Sequence, residues 1–210
     1  MPDTARHPIF ARLYAASSAG VERKGGAEHR AEMLAGVAGR VVEVGAGNGL
    51  NFGHYPPTVS EVVAVEPEPY LRERAEDAAR TAAVDVRVVD GLADALPAED
   101  AAFDAAVASL VLCSVPDQAD ALAELRRVVR PNGELRFYEH VVAAGRRGAL
   151  QRRLDDWGIW PRLTGGCHGA RDTEAAIAAN GWTIERVRRF DFKAGPAALP
   201  HIIGVARRDA

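Results

Sequence analysis

Three glycines at alternate positions, Gly45, Gly47 and Gly49, follow directly on the apolar run Val41-Val42-Glu43-Val44. A β-strand that stops at a tight glycine turn and passes into a helix brings backbone N–H groups close to a ligand where a side chain would clash. The chemistry implied is the binding of a nucleotide-type cofactor. A dinucleotide fingerprint needs a third small residue where this chain has Leu50, which argues against a nicotinamide oxidoreductase. A second carboxylate, Glu66, ends the apolar run Glu61 to Val65. It falls about twenty residues past the first glycine, where a carboxylate can accept both ribose hydroxyls, and Pro67 closes the strand.

A second group of residues could act on an acceptor. His140 follows the apolar stretch Glu134 to Glu139 and should sit at the carboxyl end of a strand, the edge that faces the ligand crevice in a parallel sheet. An imidazole titrates near neutrality, so His140 is the candidate general base, with His168 and His201 behind it. The two cysteines, Cys113 and Cys167, suit a reducing compartment and cannot form a disulfide framework. No metal is expected, because Cys167-His168 has no second Cys or His at ligand spacing and Cys113 lies in an apolar run as a packed thiol.

The elements that must position these groups alternate strand and helix. Strands are expected near Val41, from Glu61 to Glu66, from Val84 to Val89, from Phe103 to Ser109 and from Glu134 to His140. An amphipathic helix over Ala119 to Arg130 should stop at Pro131-Asn132-Gly133. Before the first strand, residues 1–38 contain two expected helices, Phe10 to Ala16 and Ala27 to Val37, joined by a Gly20 to Gly26 loop. Such a prefix can close over the cofactor as a lid, with Tyr14 reaching in. After His140, a helix over Gly145 to Trp160 ends at Pro161, and a Gly165 to Gly169 loop follows. Next come a helix over Arg171 to Asn180, a strand over Trp182 to Phe192 and a last strand over Pro200 to Ala206. One domain is expected: a lid (1–38), a cofactor half (39–142) and a substrate half (143–210).

The pattern E-x-G-x-G-x-G from Glu43 to Gly49 resembles the first motif of class I S-adenosylmethionine-dependent methyltransferases. That resemblance implies a Rossmann-like α/β fold, a seven-stranded and mostly parallel sheet with an antiparallel last strand and helices on both faces. It implies S-adenosyl-L-methionine as cofactor and S-adenosyl-L-homocysteine as product. On this reading Glu43 meets the methionine ammonium, and Gly45, Ala46, Gly47, Asn48 and Asn51 form the loop. Glu66 and Pro67 hold the ribose, Leu92, Ala93 and Asp94 border the adenine, and Ser109 and Leu110 close the site. Many relatives carry Asp where this chain has Leu92, so Asp94 or the backbone near Ala93 must serve the adenine amino group.

Ser109-Leu110-Val111-Leu112-Cys113-Ser114-Val115, Phe137-Tyr138-Glu139-His140-Val141, Gly166-Cys167 with Arg171-Asp172-Thr173, and Pro200-His201-Ile202 with Gly204 narrow the resemblance further. They are similar to the small methyltransferases that include the mammalian alkyl thiol S-methyltransferases. Transfer to a small thiol is the expectation, with Tyr14, Trp160, Cys167, His168 and His201 at the acceptor and Trp157, Leu163 and the Gly165 to Gly169 loop as apolar walls. The alternatives are O-, N- or C-methylation of a quinone-like or natural-product metabolite, and a protein that binds the cofactor without turning it over.

Composition limits the partners. The 210 residues carry a formal charge of -3 and no run of Lys or Arg, which argues against a nucleic-acid partner. No apolar stretch approaches the ~20 residues that span a bilayer. Ala and Arg richness suggests a high-GC coding background. A soluble, cytoplasmic bacterial protein is expected, a monomer or homodimer acting on a small molecule without the membrane anchor of the mammalian relatives.

Overall fold

The computed structural model describes residues 8–193, 195 and 198–209. Seven strands join one sheet: β1 Gly39–Val44, β2 Val59–Val65, β3 Val86–Val89, β4 Phe103–Ser109, β5 Val129–His140, β6 Trp182–Phe192 and β7 Leu199–Arg208. Their order is β3-β2-β1-β4-β5-β7-β6. The first five pair in parallel, and β7 runs antiparallel to both β5 and β6. The helices are α1 Pro8–Val21, α2 Ala27–Leu34, α3 Pro69–Ala79, α4 Gln118–Val128, α5 Gly145–Asp156, α6 Ile159–Leu163 and α7 Thr173–Ala179.

Near-continuous apolar runs such as Val41 to Val44 and Ala105 to Ala108 are those of strands covered on both faces. Alternate residues divide between two cores. Val42, Val44, Val63, Val65, Ala106 and Ala108 pack against Leu122 and Leu125 of α4 and Ile177 of α7. Val41, Val62, Ala64, Ala105 and Val107 pack against Met33 and Leu34 of α2 and Ala75 of α3. The sheet order reverses between β1 and β4, so the crevice opens beyond their carboxyl ends, where the glycine loop and Ser109 lie.

Several boundaries differ from the sequence expectation, each for a local reason. The glycine loop leads only into a single 3-10 turn, Phe52–His54, because Gly53, Pro56 and Pro57 stop a longer helix. The expected Gly20 to Gly26 loop is instead a continuation of α1 through a π-helical turn, Glu22–Gly26, kinked where Gly25 takes φ 117°. Gly158, at φ 66°, splits the expected helix over Gly145 to Trp160 into α5 and α6. Pro161 does not end it; it sits in the first turn of α6, where its missing N–H has no partner to lose. Likewise Pro131-Asn132-Gly133 falls inside β5, and the β4 pairing jumps from Phe103–Val129 to Ala105–Glu134 across it.

Candidate functional site

The glycine loop follows β1 with Gly45, Gly47 and Gly49 all at positive φ, between 59° and 79°. At Gly45 the need is also steric: a Cβ there would stand 2.3 Å from Val111 Cγ2, in the segment after β4. Glu66 braces the loop from below. Its carboxylate accepts from Gly47 N–H at 2.7 Å and from Glu68 N–H at 2.9 Å, and burial still pushes its pKa up. Tyr14 of α1 lies over Gly47, with ring atoms 3.5 Å from where a Cβ would be. Tyr14, expected as a lid residue, therefore stands on the glycine loop. Asn48 ties the loop to α1 by donating to Ser18 Oγ at 3.0 Å.

Beneath the loop runs a buried polar chain. Arg30 of α2 donates to Asn51 Oδ1 (2.9 Å) and Ser109 Oγ (3.0 Å) and pairs with Glu22. Asn51 Nδ2 donates to one oxygen of Glu43 (2.8 Å) and the Tyr55 hydroxyl to the other (2.6 Å). Burial raises the Glu43 carboxyl to about 7 against the pull of these two donors. The structure thus gives Glu43, Asn51 and Ser109 a shared role, fastening the ends of β1 and β4 together through Arg30. Leu110 then turns at φ 58° and donates its N–H to Tyr138 O, a strained non-glycine geometry of the kind found at functional sites. Arg30 and Tyr55 were not singled out from the sequence. Arg30 carries a signal, since it shares the helical face of the core residues Met33 and Leu34.

The cofactor groups hold a fit of their own. Asn48 Oδ1, on the glycine loop, is buried with no partner among the described residues. A ligand ammonium would satisfy it. Of the residues expected to border the adenine, Leu92 and Asp94 are exposed and Ala93 packs against the core. Arg72 holds this region to the second strand, bridging Glu66 O, Pro67 O and Asp90.

The region where the sequence placed the acceptor is assembled from three separate segments. Glu139 of β5, fully buried, accepts hydrogen bonds from the N–H groups of Val111 (3.0 Å), Leu112 (2.9 Å) and Cys113 (3.2 Å). Burial nevertheless raises its carboxyl to about 7. Arg171 closes the same segment from the other side, donating to the carbonyls of Leu112, Val115 and Pro116. His168 N–H donates to Cys113 O at 2.8 Å. The sequence signal for Glu139 was an acid next to the apolar pair Phe137-Tyr138 near the end of a strand; its role went unread.

This lacing corrects the sequence view of the cysteines. Cys113 and Cys167, 54 positions apart, both face His140: their sulfurs lie 3.8 Å and 3.5 Å from His140 Nδ1. The Cys113 thiol is raised by its hydrogen bond with Cys167 and by burial, and the Cys167 thiol is driven well down by Cys113 and His140. Desolvation works against the His140 imidazolium, but the Cys167 sulfur wins and raises its pKa. His201 pairs with His140 across β5 and β7, ring centroids 4.4 Å apart, and donates Nδ1–H to Leu199 O at 2.8 Å. Burial lowers it to about 3, so it is a neutral packing residue among Tyr138, Phe190 and Phe192.

A cavity of about 220 Å³ opens beside this group, lined by His140, Leu150, Leu154, Trp160, Leu199 and Pro200 among others. Trp160 is a wall as expected, and its indole N–H has no partner among the described residues. Trp157 and Leu163 are not walls: they are 62% and 73% exposed, at the carboxyl ends of the two helices into which Gly158 divides the expected one. Of the expected glycine loop only Gly169 reaches the cavity. No helix among the described residues is long and apolar enough to cross a membrane.

Comparison with known proteins agrees with this arrangement. The family model described as a methyltransferase domain matches residues 42–137, the stretch from β1 to β5. Human thiol S-methyltransferase TMT1A is 31% identical over 185 residues, 83% of this chain and 74% of that protein. Human thiol S-methyltransferase TMT1B is 34% identical over 147 residues, 67% of this chain. The match covers only 59% of TMT1B, about three fifths of its length. A solved S-adenosylmethionine-dependent methyltransferase from Thermotoga maritima shares the fold at a TM-score of 0.71 and 19% identity, over 96% of this chain and 97% of that one. The chain belongs to the S-adenosylmethionine-dependent methyltransferase family.

Proposed function

We propose that this chain transfers the methyl group of S-adenosylmethionine to the sulfur of a small apolar thiol. The observation that carries the reading is the cavity of about 220 Å³ beside His140, walled by Leu150, Leu154, Trp160, Leu199 and Pro200. It suits a small hydrophobic molecule better than a polymer. The two human relatives named as thiol S-methyltransferases support the choice of acceptor atom.

When bound, the cofactor supplies a methyl group made electrophilic by its sulfonium, and an acceptor lone pair forms the new bond as the old C–S bond breaks. Binding falls to Glu66 for the ribose hydroxyls, and for the ammonium to Asn48 Oδ1 together with Glu43, whose carboxylate Asn51 and Tyr55 hold at the end of β1. Holding the acceptor in line is most of the catalytic work. A free thiol with pKa near ~8.5 is already partly thiolate at neutral pH, so a strong general base is not required. His140 then acts as a wall and an orienting group rather than as the proton acceptor.

An acceptor screen reading S-adenosylhomocysteine formation tests the assignment. Paired thiols and alcohols of one carbon skeleton should separate, with turnover for the thiol alone. Turnover of the alcohols, of amines or of quinone-like carbon acids in their place would reassign the acceptor.

A further inference from the structure

His140 Nδ1 faces two cysteine sulfurs, and the three ligand atoms of Cys113, His140 and Cys167 lie within 4.8 Å of one another. One imidazole nitrogen and two sulfurs are the donor types that hold a borderline transition-metal ion. A cation at their centre would engage all three. Zinc bonds of ~2.3 Å to sulfur and ~2.0 Å to nitrogen, at tetrahedral angles, put sulfur and nitrogen about 3.5 Å apart. The observed separations, 3.5 Å and 3.8 Å, lie close to that value.

The surroundings are built to hold such a set. Both cysteines are buried, at 1% and 6% exposure, and neither is in a disulfide. Glu139 fixes the Cys113 backbone, and the His168 N–H to Cys113 O bond pins the two cysteine-bearing segments together. The Ser114 hydroxyl lies 3.5 Å from the Cys113 sulfur, in position to orient it. Two thiolates and an imidazole select a soft or borderline cation and exclude magnesium and calcium. Three protein ligands leave one tetrahedral position open.

We propose that Cys113, His140 and Cys167 bind a zinc ion whose fourth position takes the sulfur of the acceptor thiol from the cavity that His140 lines. The second half of this rests on the thiol reading above. In the step it describes, the acceptor S–H loses its proton to solvent on coordination, since a zinc-bound thiol is deprotonated. The sulfur lone pair then forms the S–CH3 bond, the cofactor C–S bond breaks, and its electron pair stays on the sulfur of S-adenosylhomocysteine. The neutral thioether product is a weak ligand and leaves.

Cobalt(II) titration of the reduced protein tests this. The full chain should bind one equivalent with strong thiolate-to-cobalt absorption in the near ultraviolet. Cys113→Ser and Cys167→Ser should each remove about half of that absorption. His140→Gln, which keeps both thiols, should weaken binding at least about tenfold. Circular dichroism identifies any variant that fails to fold, and His140→Gln decides if both cysteine variants do. Benzyl mercaptan added to the cobalt protein should raise the absorption by about half as two sulfur ligands become three. Absence of stoichiometric cobalt binding, or a Cys113–Cys167 disulfide in the freshly purified protein by mass spectrometry, would overturn the site. Thiol turnover that persists without bound metal would overturn it while leaving the proposed function standing. Cobalt binding with no response to the mercaptan would overturn the fourth-position assignment alone.

Discussion

The Glu139 carboxylate accepts the backbone N–H of Cys113 at 3.2 Å, and with it those of Val111 and Leu112. One buried acid on β5 thereby sets the path of the chain leaving β4, on which both the Gly45 contact and the Cys113 sulfur depend.

Removing that acid should be costly. Glu139→Ala strands three buried N–H groups, which at ~1 kcal/mol each destabilises by about 2 to 4 kcal/mol. Thermal unfolding should shift down by roughly 5 to 15 °C. A melting temperature equal to that of the parent chain would mean that the segment is held by Arg171 and packing instead.

Glu43 gives a pH signature. Its carboxyl is raised from 4.5 to about 7 in the folded chain, mainly by burial. The folded state therefore holds a proton that the unfolded state releases, and this contribution is full below the unfolded value and lost as pH climbs through the folded one. In Glu43→Gln the side chain is neutral throughout. Denaturant unfolding at a series of pH values should show the parent losing stability relative to the variant between about pH 5 and about pH 7.5. A flat difference curve would show that Glu43 titrates normally.

At the loop, Gly47 takes φ 59°. A β-branched residue is a steric outlier there, and its methyl groups would also press on Tyr14, which already approaches a Cβ position to 3.5 Å. Gly47→Val should abolish S-adenosylmethionine binding in calorimetry. Affinity within about twofold of the parent would remove this loop from the cofactor site.

Glu66 is expected to contact the ribose and, in the free protein, braces Gly47. Glu66→Ala should cost ~1.5 to 3 kcal/mol of cofactor affinity, about 10- to 150-fold in Kd. Glu66→Gln, which still accepts from Gly47 N–H, should fall between. Parental affinity in both variants would move the ribose elsewhere.

What was legible in the sequence depended on range. β4 and β6 begin and end where the sequence reading placed them: β4 is a near-continuous apolar run between charged or loop residues, and β6 starts directly after Asn180-Gly181. The helix expected after the glycine loop was not there, since Gly53, Pro56 and Pro57 override the family pattern. The cysteine and histidine trio was invisible for a different reason. Linear spacing identifies metal ligands only when they share one element, whereas these come from three segments that Glu139, Arg171 and the His168 N–H draw together. Trp157 and Leu163 failed as cavity walls because Gly158 breaks the expected single helix, leaving Trp157 at the end of α5 and Leu163 at the end of α6, both on the solvent side.

Transfer of a deuterium-labelled methyl group from S-adenosylmethionine to benzyl mercaptan, followed by mass spectrometry of both products, tests the central claim most directly. The account predicts one labelled thioether for each S-adenosylhomocysteine formed, saturation with thiol, and no labelled ether from benzyl alcohol. Tight cofactor binding with no labelled thioether from any small thiol would contradict it.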